Sequence, residues 1–180
     1  MRGEASRIAD RESRDLLASK LRDTREDAWR IGNELFVITS LLDGNVRIER
    51  ALTDVSRPLE DKVAVLNTLL GDQVHPMTME IMTEVVKRRW SRAADIANAV
   101  EDFGVDAMMY YADATDSTLQ VSIELAELHS ALLNTPVVRA KLYDETVPSE
   151  ARVKFFHELF DGKGLNKVTM RLAEHATENL

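Results

Sequence analysis

The chain repeats itself after 90 residues, and this repeat constrains its fold more than any other feature. Within residues 34–69, ten residues are identical to those 90 positions later, without a gap. The first members of these ten pairs are Glu34, Leu35, Ser40, Leu42, Leu52, Asp54, Pro58, Glu60, Val63 and Leu69. A period of this length is too long for a single short helical-repeat unit, so we expect each repeat to be a small bundle produced by internal duplication.

The apolar residues of both repeats recur at intervals of three and four, which predicts helices. In the first repeat the predicted helices span residues 7–22, 28–42, 46–52, 59–70, 77–90 and 91–103. Ser91 is expected to cap the sixth helix, and Gly104 is expected to end it. The sequence therefore predicts an all-α protein of two tandem bundles with about five to six helices each, over residues 1–104 and 105–180. The second bundle is expected to be truncated, because residues 167–180 match 77–90 and no counterpart of 91–103 follows.

The composition excludes several classes of protein. Cysteine is absent, which rules out a disulfide scaffold, a cysteine nucleophile and thiolate metal sites. The amino terminus lacks the apolar core of a signal peptide. The apolar run at residues 35–38 is far too short to span a membrane. The net charge of −8 disfavours sequence-independent binding to nucleic acid.

No set of residues has the spacing of a catalytic or metal site. The four histidines are isolated, and Asp161-Gly162-Lys163-Gly164 lacks the upstream glycine and the hydroxyl residue of a phosphate loop. We therefore predict that the protein is not an enzyme and that it uses no cofactor and no metal.

The basic segment, Lys87 to Arg92, has two readings. It could contact phosphate or an acidic partner, or its cations could stabilise the carboxyl end of the fifth helix while Trp90 packs inward.

An ordered series of short segments resembles the delta subunit of bacterial F-type ATP synthase, the counterpart of the oligomycin-sensitivity-conferring protein. The series covers nearly all of the first repeat, and the second repeat resembles the same domain more weakly. Its members are Gly3-Glu4-Ala5-Ser6-Arg7, Glu34-Leu35-Phe36, Leu41-Leu42-Asp43, Arg50-Ala51-Leu52-Thr53-Asp54, Ser56-Arg57-Pro58, Leu69-Leu70-Gly71-Asp72, Pro76, Arg88-Arg89-Trp90-Ser91-Arg92 and Asp95.

The resemblance implies a non-catalytic stator subunit of the peripheral stalk in a proton-translocating ATP synthase. In that family a six-helix bundle binds the N-terminal helix of an alpha subunit between its first and fifth helices. A C-terminal region joins the b subunit, so that the stalk resists torque during ATP synthesis. The resemblance also implies a peripheral location on the cytoplasmic face of the plasma membrane, without membrane insertion or nucleic-acid binding, and a monomer in isolation.

Carried onto this sequence, the first and fifth helices correspond to residues 5–21 and 77–90. The residues expected to line the groove for the partner helix are Ala5, Ile8, Ala9, Glu12, Leu16, Met79, Met82, Val86 and Arg89. The chain departs from the family in carrying two repeats, as in a branch with a duplicated N-terminal segment. The region that contacts the b subunit is expected to be missing after Leu180.

Two alternatives stay open at the level of sequence. A soluble helical-repeat adaptor unrelated to the synthase would ignore the alpha-subunit helix. A nucleic-acid-binding protein that uses Lys87 to Arg92 would show salt-dependent binding, weakened when Arg88 or Arg89 is replaced by alanine.

Overall fold

A computed structural model describes residues 1–180 and consists of ten α-helices and one short 3-10 turn, Arg25–Asp27. It contains no β-strand, which confirms the all-α prediction. The helices are α1 (Glu4–Asp23), α2 (Ala28–Leu42), α3 (Val46–Thr53), α4 (Leu59–Leu70), α5 (Pro76–Lys87), α6 (Asp95–Ala114), α7 (Thr118–Leu133), α8 (Pro136–Leu142), α9 (Ser149–Phe160) and α10 (Lys167–Glu178).

The helices form two compact units, Met1–Tyr111 and Ala112–Leu180. The first unit contains α1 to α5 and most of α6, and the second contains the last residues of α6 and α7 to α10. The division expected between residues 104 and 105 falls within α6.

The core of the first unit is one continuous apolar cluster. Leu21, Leu35, Ile81 and Val100 contribute to it from α1, α2, α5 and α6, and each is at most 1% exposed. These helices bury one face each because their apolar residues recur at three- and four-residue spacing.

The sixth helix differs from its prediction at both ends. Ser91 is not its cap: α6 begins at Asp95, and the Ser91 amide instead donates a 2.7 Å hydrogen bond to the Ser6 hydroxyl. Gly104 does not end the helix but lies inside it, where a Cβ atom would come within 2.6 Å of the Phe36 ring. The glycine therefore serves close packing between α2 and α6, since only a residue without a side chain fits there.

The fifth helix was expected to reach Trp90, and this prediction is wrong at its carboxyl end. The helix stops at Lys87, and Arg88 has an extended backbone with φ −79° and ψ 160°. Trp90 is buried against the helix end, where its indole Nε1 donates a 2.9 Å hydrogen bond to the Val85 carbonyl. The indole thus satisfies one of the carbonyls that a helix end leaves without a partner.

A carboxylate of α2 fixes the start of α5 in the first unit. One oxygen of Glu34 accepts a 2.9 Å bond from the His75 amide and a 2.8 Å bond from the Thr78 hydroxyl. His75 caps α5, because its Nδ1 accepts a hydrogen bond from the Met77 amide at 3.0 Å. The start of α5 is therefore held by side chains from two elements.

The second unit contains the same arrangement around Glu124 on α7. One oxygen of Glu124 accepts a 2.9 Å bond from the Asn166 amide and a 2.7 Å bond from the Thr169 hydroxyl. Asn166 caps α10 by accepting a 2.8 Å hydrogen bond from the Val168 amide. The hydrogen bonds at the start of α10 are therefore equivalent to those at the start of α5.

The turns before α4 and α9 also match. One oxygen of Asp54 accepts hydrogen bonds from the amide and the hydroxyl of Ser56, at 2.9 and 2.6 Å. Asp144 accepts the same two bonds from Thr146 at the same two distances. Each turn is an Asx-type turn that stops one helix and starts the next.

Candidate partner-helix interface

Helices α1 and α5 pack side by side in the first unit, and their shared outer surface is the candidate site. Two ion pairs cross between them. Lys20 Nζ lies 2.5 Å from Glu80, and Arg88 Nη1 lies 2.8 Å from Glu12. Arg88, which directly follows α5, also pairs with Glu84 of α5 at 2.9 Å. Because Lys20 and Glu12 are exposed and their partners are only half-buried, the two pairs between the helices fix the register more than they stabilise the fold.

Apolar side chains of α1 are exposed beside this seam. Leu16 is 60% exposed and Ile8 is 38% exposed, although both belong to an ordered helix. Glu12 lies one turn from each of them and is also exposed, while Ala5 is half-buried. Residues 5, 8, 12 and 16 follow the three- and four-residue spacing of a single helix face. This face of α1 presents aliphatic surface with one carboxylate in its middle.

Two of the expected groove residues on α5 are accessible. Met79 is half-buried on the helix, and Arg89 is exposed just beyond its end. Met79 also packs against the core cluster, so it joins the buried and the accessible parts of α5. A methionine at such a border offers a flexible apolar contact to a partner.

The remaining expected groove residues lie in the core of the first unit. Ala9 is 4% exposed, and Met82 and Val86 are fully buried. All three belong to the continuous apolar cluster of this unit. These three side chains pack in the core beneath α1 and α5. A partner bound to the surface could contact them only if the bundle repacked.

The buried face of α1 is unusually polar. Its buried residues include Ser6, Asp10 and Ser13, while Ile8 and Leu16 face outwards. Ser6 donates a 2.7 Å hydrogen bond to Asp95 of α6, and the Ser13 hydroxyl lies 2.7 Å from the carbonyl of residue 9. The apolar pattern of α1 therefore marks an outer surface as much as an inner one.

The accessible surface includes residues that sequence reasoning missed. Lys20, Glu80 and Arg88 form the ion pairs between α1 and α5, and Thr83 lies half-buried on α5 next to them. No sequence signal identifies such pairs, because the partners are separated by 60 and 76 positions.

The basic segment is largely engaged within the protein. Trp90 packs inward, Lys87 lies 3.5 Å from Glu84, and Arg92 lies 3.0 Å from the buried Asp95. Together with the pairs made by Arg88, these contacts engage three of the four cations of the segment with carboxylates, while Arg89 is exposed.

A second charged cluster lies between α1 and α6. Arg2 and Arg14 both contact Asp10, which is nearly inaccessible to solvent, and Arg2 also lies 2.8 Å from Asp102. Burial, together with the neighbouring Asp102, raises the pKa of Asp10 to about 7. Burial also opposes ionisation of Asp102, but hydrogen bonds from Asp10 and Arg2 hold its pKa below the usual value. The two carboxyl groups therefore retain one proton well above the usual pH for aspartate.

No group of three or more histidine or acidic side chains has the arrangement needed to hold a metal ion. None of the helices combines the length and the apolar character that crossing a membrane requires.

The whole chain is similar to proteins named ATP synthase subunit delta. It is 81% identical to the protein of Bifidobacterium longum (strain DJO10A) over 180 residues, and 61% identical to that of Bifidobacterium animalis subsp. lactis (strain AD011) over 179 residues. The match to the protein of Streptomyces avermitilis is 31% identical over 159 residues, which is 88% of this chain and 58% of that protein.

No family model matches the chain. It spans 65% of the length of both Bifidobacterium relatives, so the similarity covers the whole of this chain and only part of theirs. The alignment with the Bifidobacterium longum protein includes all 180 residues of the chain, and 81% of them are identical. The chain is therefore homologous, over its whole length, to ATP synthase delta subunits.

Proposed function

We propose that the chain is a non-catalytic stator subunit of a proton-translocating F-type ATP synthase, and that it binds the N-terminal helix of an alpha subunit on the α1/α5 surface. The observation that carries this proposal is the similarity of the entire chain to ATP synthase delta subunits. A role in the peripheral stalk, contact with the b subunit through polypeptide outside these 180 residues, and a peripheral location on the cytoplasmic face of the plasma membrane belong to the same proposal.

The chemistry of the α1/α5 surface supports a helical partner. Leu16 and Ile8 offer aliphatic contacts separated by two turns, and the half-buried Ala5 allows a close approach at the start of α1. An amphipathic helix that docks in such a groove uses anchors at intervals of three, four and seven residues. Met79 on α5 completes the apolar strip from the opposite side.

Charged groups around this strip select the register of the partner. Glu12 and Arg88 lie at the seam, already paired with each other, and Arg89 is exposed near the end of α5. A partner helix with an acidic residue near Arg89 and a basic residue near Glu12 complements them. Such exposed pairs contribute more to specificity than to affinity.

We also propose that the two units arose by duplication. Helices α2, α3 and α4 begin 90 positions before α7, α8 and α9, and α5 begins 91 positions before α10. The hydrogen bonds of Glu34 and Glu124, and those of Asp54 and Asp144, follow the same correspondence. We assign alpha-subunit binding to the first unit, because its first helix, α1, exposes Leu16 and Ile8 beside α5.

A titration with a synthetic alpha-subunit peptide tests the proposal. The peptide covers about 20 residues of the alpha N-terminus from the same organism, enough for five to six helical turns. We expect saturable one-to-one binding by calorimetry. We expect Leu16→Asp to weaken binding at least about tenfold, since it places a charge at the most exposed apolar residue of the strip.

Leu119→Asp is the matched control, because Leu119 is an exposed leucine of α7 in the second unit. It should leave the affinity unchanged. Circular dichroism should show the same helix content for both variants, since both side chains are exposed. Failure of the folded chain to bind the peptide, or equal loss of affinity in both variants, would contradict the assigned surface.

A further inference from the structure

The second unit contains an apolar groove that the first unit does not have. It is a cavity of about 180 Å³ bounded by α7, α8, α9 and α10. Six of its lining residues are Leu125, Leu128, Leu132, Phe156, Leu172 and Ala176. Most of these are only half-buried, and Ala176 is exposed. Partly exposed aliphatic side chains on two helices, α7 and α10, form an unusual surface for a small bundle, which normally covers such positions.

The corresponding positions of the first unit form its core. Shifting by 90 residues, or by 91 on the last helix, relates the six groove residues to Leu35, Ile38, Leu42, Leu66, Ile81 and Val85. Each of these is at most 4% exposed. Five of these six positions are thus covered in the first unit and partly or fully open in the second, while Phe156 is buried like Leu66. The difference lies in what covers them and not in their chemistry.

Helix α6 supplies part of that cover in the first unit. Ile96, Val100, Phe103 and Ala107 project from one face of α6 into the core, and none is more than 1% exposed. Their spacing of four, three and four residues is that of a single helix face. The second unit has the counterparts of α2 to α5 but no helix corresponding to α6.

The counterpart of α1 is already present, because α6 ends as α1 does. The Thr24 hydroxyl contacts the Leu21 carbonyl at 2.6 Å, and the Thr115 hydroxyl contacts the Ala112 carbonyl at 3.2 Å. The residue that follows each threonine has a positive φ, which is 50° at Arg25 and 54° at Asp116. The missing element is therefore the equivalent of α6 and not of α1.

We infer that the groove of the second unit is the seat of an amphipathic helix from the same polypeptide, which follows α10 outside these 180 residues. The inference rests on the proposed duplication and is independent of alpha-subunit binding. In the first unit α6 begins at Asp95, eight positions after α5 ends at Lys87, so the covering helix follows closely in the chain. Only 65% of the Bifidobacterium longum relative is matched, so the relatives carry further polypeptide from which such a helix can come.

The chemistry of the groove specifies the occupant. Leucine and phenylalanine side chains surround an opening at Ala173 and Ala176, where two small residues let a helix approach closely. The occupant needs aliphatic or aromatic residues at positions i, i+4, i+7 and i+11, as in α6, and a polar opposite face. Covering these side chains removes apolar surface from water, which provides the driving force.

Thiol labelling tests this inference directly, since the chain has no cysteine and an introduced one is the only thiol. Ala176→Cys places it in the groove. Val137→Cys is the control, because Val137 on α8 is 74% exposed and does not line the groove. In the 180-residue chain both thiols should react rapidly. In the full-length natural protein the thiol at position 176 should react at least about tenfold more slowly, with position 137 unchanged.

The outcomes separate the possible occupants. Slow labelling that persists on dilution supports a helix from the same polypeptide. Equal labelling in the two proteins overturns the inference. Protection that disappears on dilution also overturns it, in favour of a second copy of the chain. Protection that requires added alpha-subunit peptide overturns it as well, in favour of that helix.

Amide hydrogen exchange in α7 and α10, measured without any substitution, must agree with the labelling. None of these readouts depends on the α1/α5 surface, so each proposal can fail without the other.

Discussion

Lys62 and Arg152 each reach the carboxyl end of a later helix, but they satisfy different numbers of carbonyl groups there. Lys62 Nζ donates one hydrogen bond to the Val86 carbonyl at 3.3 Å. Arg152 donates to the Thr177 carbonyl at 3.0 Å and the Glu178 carbonyl at 3.1 Å, and its guanidinium also contacts two carbonyls in the loop before α9. Both side chains are buried, so each is a cation held by the negative end of a helix.

This difference predicts unequal losses of stability. Arg152→Met should lower the free energy of unfolding of the second unit by about 2–3 kcal/mol, because several buried carbonyls lose their donor. Lys62→Met should cost the first unit only about 1 kcal/mol, because one long hydrogen bond is lost. Urea unfolding followed by hydrogen exchange in α5 and α10 distinguishes the two units. Lys154→Met, at an exposed position of α9, should have almost no effect.

Two glycines in contact with side chains of the first unit predict a second contrast. A Cβ at Gly104 would lie 2.6 Å from the Phe36 ring, whereas one at Gly32 would meet the flexible end of Met108 at 2.7 Å. Gly104→Ala should therefore destabilise the unit by about 2 kcal/mol, since the fully buried ring cannot yield. Gly32→Ala should cost clearly less, because the end of Met108 can shift and the gain in helix propensity offsets part of the crowding against the Gly104 carbonyl, which would lie 3.3 Å from the new Cβ. Thermal unfolding of both variants measures the contrast, and equal losses would contradict it.

The raised pKa of Asp10 predicts a pH dependence of stability. Because burial favours the protonated form, the folded protein binds the proton more tightly than the unfolded chain does, and stability falls as the pH rises from about 4 to about 7. Asp10→Asn removes this titration. Relative to the natural protein, the variant should gain about 1–2 kcal/mol over that range. Urea unfolding at pH 4.5 and pH 8 measures the change, and a difference that does not vary with pH would refute it.

His157 in the second unit predicts a linkage of the same sign, but through a cation that its partners stabilise. Its Nδ1 lies 2.8 Å from Asp161 and its Nε2 lies 2.7 Å from Glu174. The hydrogen bond with Asp161, followed by that with Glu174, raises the pKa of His157 above 6.5. The stabilisation is fully present below about pH 6.5 and is lost as the pH rises through the folded-state value. Proton NMR should report the raised pKa directly, and His157→Gln should flatten the pH dependence of unfolding.

Much of the fold could be predicted from local sequence signals. Helices α2 and α4 begin and end at the predicted residues, because Asp43-Gly44-Asn45 follows the first and Gly71 follows the second. The ends of α5 and α6 could not be predicted in this way. Trp90 bonds back to Val85, and Gly104 packs against Phe36, and both contacts depend on the tertiary structure.

The candidate site was less predictable than the fold for a physical reason. The apolar residues of α1 were expected to line one groove, but Ala9 is buried and Leu16 is exposed on the same helix. The buried face of α1 relies instead on Ser6 and Ser13, whose hydroxyl groups are satisfied by Asp95 and by the helix backbone. Hydrophobicity alone cannot separate a core face from a docking face when the core face contains satisfied polar groups.

The hydrogen bonds of Glu34 and Glu124 divide the chain into closed rings. The bond from Glu34 to the His75 amide spans 41 positions, and the bond from Glu124 to the Asn166 amide spans 42. The extra residue lies in the loop between α9 and α10, yet the tie is made at the same 2.9 Å in both units. Each carboxylate thus holds two helices together, α2 and α5 in the first unit and α7 and α10 in the second, although the chain between them differs in length. Such a ring can absorb insertions at little cost in closure entropy, so evolution can vary its contents without shifting the two helices that the carboxylate ties together.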